Sequence, residues 1–225
     1  RVLDVCFGLG YNTAALMAAL PNAGGPNLEC WGLELDRSPL RLALAEPRFI
    51  DLWPKHVVAA LGAVATDGYW QDSLRQHSVQ MLWGDARQQL QNLPKDLQLD
   101  LILLDAFSPG KCPQRWSEEF MQSLASLLAP GGRLLTYCRA AAVRNSLRHA
   151  GLELRSLLPK AGEKSEWSSG TLALCSKDRD QTPPETGPGW CGLSVMEEEH
   201  LQTRAGVPYR DPSGTDVAAS ILKRR

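Results

Sequence analysis

The 225-residue chain is short of most features that would set it outside the ordinary globular class. No apolar run approaches the ~18 residues that a membrane-spanning helix needs. No charged head followed by an apolar core opens the chain; Arg1-Val2-Leu3-Asp4 reads instead as the start of a strand, so an upstream segment is expected to be missing. Charge of either sign is not in excess: 24 Lys and Arg face 25 Asp and Glu, which removes a whole-chain basic field and leaves any polyanion to local basic residues. The six cysteines form no C-x-x-C pair, and most lie in apolar, strand-like stretches. That excludes a zinc ribbon or a disulfide framework and sets the expectation of buried, reduced thiols in a cytoplasmic protein. The four histidines lack metal-ligand spacing, so no metal is expected, and no internal repeat is visible.

What is present is alternation. Val2–Cys6, Leu28–Leu35, Val79–Trp83, Leu99–Leu104 and Arg133–Cys138 are strand-like runs, and helical patterns separate most of them. This predicts an α/β fold, a doubly wound and mostly parallel sheet. Ser38-Pro39 marks a helix start, and the Pro130-Gly131-Gly132 run is expected to end a helix over 117–128. Residues 53–76 read as helix and connection, with a turn at Asp67-Gly68 and no functional role. Beyond Gly151 the rhythm changes. Leu152–Leu158 and Gly170–Cys175 have no helix between them and suit a terminal antiparallel pair. Residues 1–176 are expected as one domain. Residues 177–225 are expected as a loop-rich extension with a short helix near Val195 and a basic tail.

Acidic residues recur where the strands end. Asp4-x-x-x-Gly8-Leu9-Gly10 closes the first strand and opens a helix; glycine lets the chain turn sharply and approach a ligand closely. A dinucleotide fingerprint would carry a third glycine, and Thr13 stands at that place. Glu34 and Asp36 follow the second strand, where an acid accepts ribose hydroxyls; both remain candidates. Gly84-Asp85 follows the third, one strand further out, where a carboxylate suits an adenine amino group. Three acids and a glycine turn with no phosphate cradle fit S-adenosyl-L-methionine, which carries a ribose, an adenine and a sulfonium cation but no phosphate. The pattern therefore predicts a class I S-adenosylmethionine-dependent methyltransferase, with a nicotinamide-dependent oxidoreductase as the alternative from another class.

After the fourth strand stands Asp105-Ala106-Phe107-Ser108-Pro109-Gly110-Lys111. An acid followed by an aromatic and a proline at a strand tip suits transfer to an amine. An alkylammonium group near pKa ~10 needs about 4 kcal/mol to free its lone pair at pH 7. A positioned carboxylate lowers that requirement by accepting the proton, and an aromatic ring can stack on a base. Asp105 is the candidate base and Phe107 the candidate platform. Lys111, Arg115, Lys160, Lys164, Arg204 and Arg210 are possible phosphate contacts, and Trp116 is equally a packing anchor or a platform.

Read together, FGLGYN (7–12), the acid three residues before Pro39, Gly84-Asp85, DAFSPGKCPQRW (105–116) and LAPGGRLLTYCRAAAVRNSLRHAGL (128–152) resemble the MnmC-type tRNA 5-aminomethyl-uridine methyltransferases. The likeness is to the stand-alone form without the flavin domain. The resemblance implies methylation of the aminomethyl group on the wobble uridine, with tRNA bound through its anticodon region, and S-adenosyl-L-homocysteine as product. It implies donor contacts from Asp4, Phe7, Gly8, Gly10, Asn12, Glu34 or Asp36, Gly84 and Asp85. It implies substrate contacts from Phe107, Pro109, Lys111 and Trp116, with Asp105 as the catalytic residue. Cys112 stands where the family usually has Asn, so a hydrogen bond from that side chain is not expected. Methylation of another amine and a non-catalytic tRNA-binding role are the other readings.

Overall fold

A computed structural model of the chain describes residues 1–20, 25–72, 77–159, 170–176 and 184–225. They form two compact units, Arg1–Pro94 and Lys95–Arg225.

The first unit begins with β1 (Val2–Val5), buried at every residue as an interior parallel strand should be. It continues through α1 (Tyr11–Ala19), β2 (Glu29–Glu34), α2 (Ser38–Ala45), α3 (Pro47–Ile50), α4 (Lys55–Asp67), β3 (Tyr69–Asp72), β4 (His77–Trp83) and α5 (Ala86–Gln89). Its strands lie in the order β3-β4-β2-β1. β1 pairs with β2 and β2 with β4 in parallel, so these three strands end on the same side.

The region with no sequence reading is mostly α4. Its buried residues Val57, Ala60, Leu61, Val64 and Ala65 recur at the spacing of one helical face. Val57, Leu61 and Val64 are fully or almost fully buried, each contributing about 1.5–3 kcal/mol of apolar burial. Gly68, at φ 75°, stops the helix in the left-handed region and donates its N–H to Val64. β3 then runs antiparallel to β4, a strand the sequence reading did not anticipate.

The second unit contains β5 (Leu99–Leu104), α6 (Glu118–Ala125), β6 (Leu128–Thr136), α7 (Ala141–His149), β7 (Glu153–Leu157), β8 (Gly170–Leu174), β9 (Thr186–Gly187), β10 (Trp190–Gly192), α8 (Val195–Leu201) and α9 (Ala218–Arg224). Its strand order is β5-β6-β8-β7-β10-β9. β5 and β6 are parallel, and β6, β8 and β7 alternate antiparallel, as the terminal pair anticipated.

Three local expectations need correction. The Pro130-Gly131-Gly132 run does not separate a helix from a strand. α6 ends at Ala125, and β6 passes through the prolyl-glycine run with a register shift against β5. Glycine is required there because a Cβ at Gly132 would lie 2.6 Å from the Leu99 carbonyl oxygen. The stretch before Gly192 is not all loop, since β10 pairs with β7 and carries β9 on its far side. The basic C-terminus is no loose tail: Arg225 donates to the carbonyls of Val207 and Ala205 and stacks 4.4 Å from the Tyr209 ring centroid.

Candidate active site

In the first unit the tips of β1, β2 and β4 are joined through one residue. Glu34, the last residue of β2, accepts the Gly8 N–H at its Oε2, 2.9 Å away. Its own carbonyl accepts the Gly84 N–H at 2.9 Å. The turn after β1 and the turn after β4 are thus both hydrogen-bonded to the end of β2. Gly8 (φ 57°) and Gly10 (φ 84°) hold left-handed backbone, and a Cβ at Gly10 would meet the Phe7 ring at 2.9 Å. Phe7 is buried and packs as the floor of this turn, while Asn12 is half-buried in the first turn of α1.

Asp4 is 0% exposed and accepts the Thr13 hydroxyl at 2.7 Å. The residue standing in place of a third glycine therefore supports the acid of the first strand. Beneath it, Cys30 sits 3.6 Å from the same hydroxyl, and burial with the nearby Asp4 charge pushes its thiol up to about 12. It is a protonated core thiol at any physiological pH.

The two acids after β2 have different surroundings. Glu34 Oε1 also accepts the N–H groups of Leu35 (2.7 Å) and Asp36 (3.1 Å), which turns its carboxylate toward the glycine loop. Asp36 is exposed and accepts the Ser38 N–H at 2.8 Å, and that backbone bond lowers its pKa. Asp36 thus tethers the start of α2, the role the sequence reading gave to Ser38. Asp85, after β4, caps α5 through Arg87 N–H and is gripped by the Arg87 side chain, with Nη2 2.7 Å from Oδ2.

In the second unit the reaction loop follows β5. Asp105 is the first residue beyond the strand and is exposed, whereas Ala106 is buried. Phe107 is 78% exposed. Its carbonyl accepts the Trp116 indole N–H at 2.7 Å, and the Ala106 carbonyl accepts the Tyr137 hydroxyl at 2.6 Å. Trp116 is itself 0% exposed, so its place is behind the loop, not on its outer surface. Lys111 is exposed, and its N–H, like that of Cys112, closes onto the Ser108 carbonyl in a tight turn around the half-buried Pro109. Arg115 is buried and is not presented as a phosphate contact, while Arg210 is exposed and pairs with Glu119 at 2.7 Å. Arg204 is exposed, and Lys160 and Lys164 lie outside the described residues.

A separate cavity of about 630 Å³ in the second unit is lined by Arg144, Ser156, Glu197 and His200 among others. Arg144 is 2% exposed and donates to Thr171, Ser156, Gly170 and Glu197. This network braces α7 against β7, β8 and α8. Thr13, Arg87 and Tyr137 are the members of the two clusters that the sequence reading missed. Arg87 had a local signal, two residues after an acid that caps a helix, and Thr13 was visible as a position but not as the partner of Asp4.

The parallel strands with acids and glycines at their tips define a class I α/β methyltransferase core. A model of the S-adenosyl-L-methionine-dependent methyltransferase family matches residues 51–173, and the chain belongs to that family. Among its relatives are the tRNA 5-methylaminomethyl-2-thiouridine biosynthesis bifunctional proteins MnmC of Chromohalobacter salexigens and Pseudomonas fluorescens. They are 29% and 30% identical over 97% of this chain, which spans about a third of their length (30% and 33%). The crystal structure of MnmC2 from Aquifex aeolicus has the same fold, with a TM-score of 0.74 over 99% of this chain and 65% of that one, at 24% identity. The family match sets the nicotinamide alternative aside. The residues present also fit the family's methyl donor. Glu34 and Asp85 are half-buried carboxylates of the kind that hydroxyls and amines require, Asp4 braces the turn from within, and a Cβ at Gly8 would meet nothing closer than 3.7 Å.

Proposed function

We propose that the chain transfers a methyl group from S-adenosyl-L-methionine to the 5-aminomethyl group of the wobble uridine in tRNA. The observation that carries the amine reading is the loop after β5, where an exposed Asp105 is followed by an outward, 78% exposed Phe107 on a tied backbone. The tRNA assignment is supported by the relatives, whose names place them in tRNA 5-methylaminomethyl-2-thiouridine biosynthesis and which align with 97% of this chain.

In this reading Glu34 holds the donor ribose, Asp85 the adenine amino group and Asp4 the first turn. Arg87 fixes the Asp85 carboxylate, and Asp36 keeps α2 in place. The donor supplies an electrophilic methyl on a sulfonium. Asp105 accepts the proton that the amine loses, and Phe107 stacks on the uracil ring, a contact of about 1–3 kcal/mol. With no net basic field, tRNA binding depends on few ionic contacts and weakens as salt rises. A cytoplasmic location follows from a tRNA substrate; among the described residues no helix is long and apolar enough to cross a membrane.

Nucleoside mass spectrometry tests the reading directly. The chain, incubated with donor and tRNA bearing 5-aminomethyl-uridine, is expected to convert that nucleoside to its methylamino form. Unchanged tRNA alongside methylation of a small amine would establish the alternative, transfer to another amine.

A further inference from the structure

We infer that Tyr137 is a positioning residue that, with Trp116, fixes the direction in which Phe107 is presented. The inference rests on the reading of Phe107 as the platform for the substrate base. A peptide unit is planar and moves as one body, so a hydrogen bond to its carbonyl oxygen restrains the whole unit. The Tyr137 hydroxyl holds the Ala106 carbonyl at 2.6 Å and thereby the plane between Ala106 and Phe107. The Trp116 indole holds the Phe107 carbonyl at 2.7 Å and thereby the plane between Phe107 and Ser108. These two planes meet at the Phe107 Cα, and the angles between them are its φ and ψ. Both backbone torsions of Phe107 are therefore restrained by the side chains of Tyr137 and Trp116.

That arrangement answers a physical difficulty. A ring that is 78% exposed has little packing to hold it, and ordering it on substrate binding would cost entropy each time. Tying the backbone on both sides removes part of that cost beforehand. The two ties are themselves coupled, because the Trp116 and Tyr137 rings meet edge to face with centroids 6.2 Å apart. Trp116 is fully buried and supplies the fixed end. Tyr137, just beyond β6 and 47% exposed, reaches the loop from the neighbouring strand.

The test is Tyr137→Phe, which keeps the ring and removes the hydroxyl, made in the wild-type chain and in a Phe107→Ala chain. In the wild-type background the KM for aminomethyl-uridine tRNA is expected to rise five- to tenfold, with the Kd of S-adenosylhomocysteine unchanged within twofold. In the Phe107→Ala background the same substitution is expected to change KM by less than twofold, because the residue through which it acts is gone. Amide hydrogen exchange over residues 105–112 is expected to quicken several-fold in Tyr137→Phe, with β6 and α7 unaffected. An unchanged KM, an equal rise in both backgrounds, or unaltered loop exchange would each overturn the inference. If the wild-type chain leaves the tRNA unmethylated, the substrate reading fails on its own, and the exchange comparison decides whether the tie exists.

Discussion

The two carboxylate-bearing regions of this chain are built in opposite ways. In the first unit, Asp4, Glu34 and Asp85 are immobilised by Thr13, by the backbone of Gly8, Leu35 and Asp36, and by Arg87. In the second unit the main chain of the loop is tied at Ala106 and Phe107, and the Phe107 ring stands exposed. Groups that hold a ligand in one pose gain from fixed acceptor directions, since each misaligned hydrogen bond loses much of its strength. Groups that meet a macromolecule and take a proton must be reachable. Carboxylates held by neighbouring donors mark the first region, and a loop main chain held by two aromatic side chains marks the second.

The sharpest way to break this contrast is Asp105→Asn. Turnover is expected to fall at least a hundredfold, within the range for losing a general base, while S-adenosylhomocysteine binding measured by calorimetry stays within twofold. If donor affinity fell in parallel, the division of labour would be wrong. Glu34→Ala is expected to weaken that affinity by roughly ten- to a hundredfold, the loss of about 1.5–3 kcal/mol of charged hydrogen bonding. Asp36→Ala should leave affinity within about twofold and lower thermal stability only slightly, through loss of the exposed bond to the Ser38 N–H. A reversed pattern would make Asp36 the ribose acid. Phe107→Ala comes next, with an expected rise in KM of roughly five- to a hundredfold for a lost stacking contact.

The smallest effect concerns stability away from the chemistry. Burial raises the Glu197 pKa, but hydrogen bonds from Ser156, Ser194 and Arg144 outweigh it and hold the carboxyl at about 2. A depressed carboxyl contributes stability above its unfolded pKa near ~4.3, and that contribution disappears as the pH falls toward 2. Urea midpoints of the wild-type chain and Glu197→Gln should therefore differ at pH 6 and draw together as the pH falls to about 2. Curves that stay parallel across that range would remove Glu197 from the brace.

Much of the architecture was legible in the sequence because it depends on runs of apolar residues. β5 was read residue for residue, since Leu99–Leu104 is almost wholly apolar and flanked by polar residues. β3 was invisible because Tyr69-Trp70-Gln71-Asp72 is short and half polar, and it exists through pairing with β4. The prolyl-glycine run misled because glycine there answers a close backbone approach, a tertiary requirement with no local trace. The acids at strand ends were visible as positions, but their partners were not. Tyr137 lies 31 residues from the carbonyl it holds, and nothing periodic links the two. The proposal of Glu34 over Asp36 as the ribose acid likewise draws on coordinates, because it depends on where two neighbouring carboxylates turn.

Thr13 carries a consequence for how far this scaffold can be re-engineered. Its hydroxyl supports the buried Asp4 from the place where nucleotide-phosphate binders keep a bare glycine. Exchanging it for glycine to admit a pyrophosphate would strip a partner from a carboxylate sealed off from water and destabilise the host before any new ligand could bind. Opening this turn to a phosphate therefore first demands another partner for the buried Asp4.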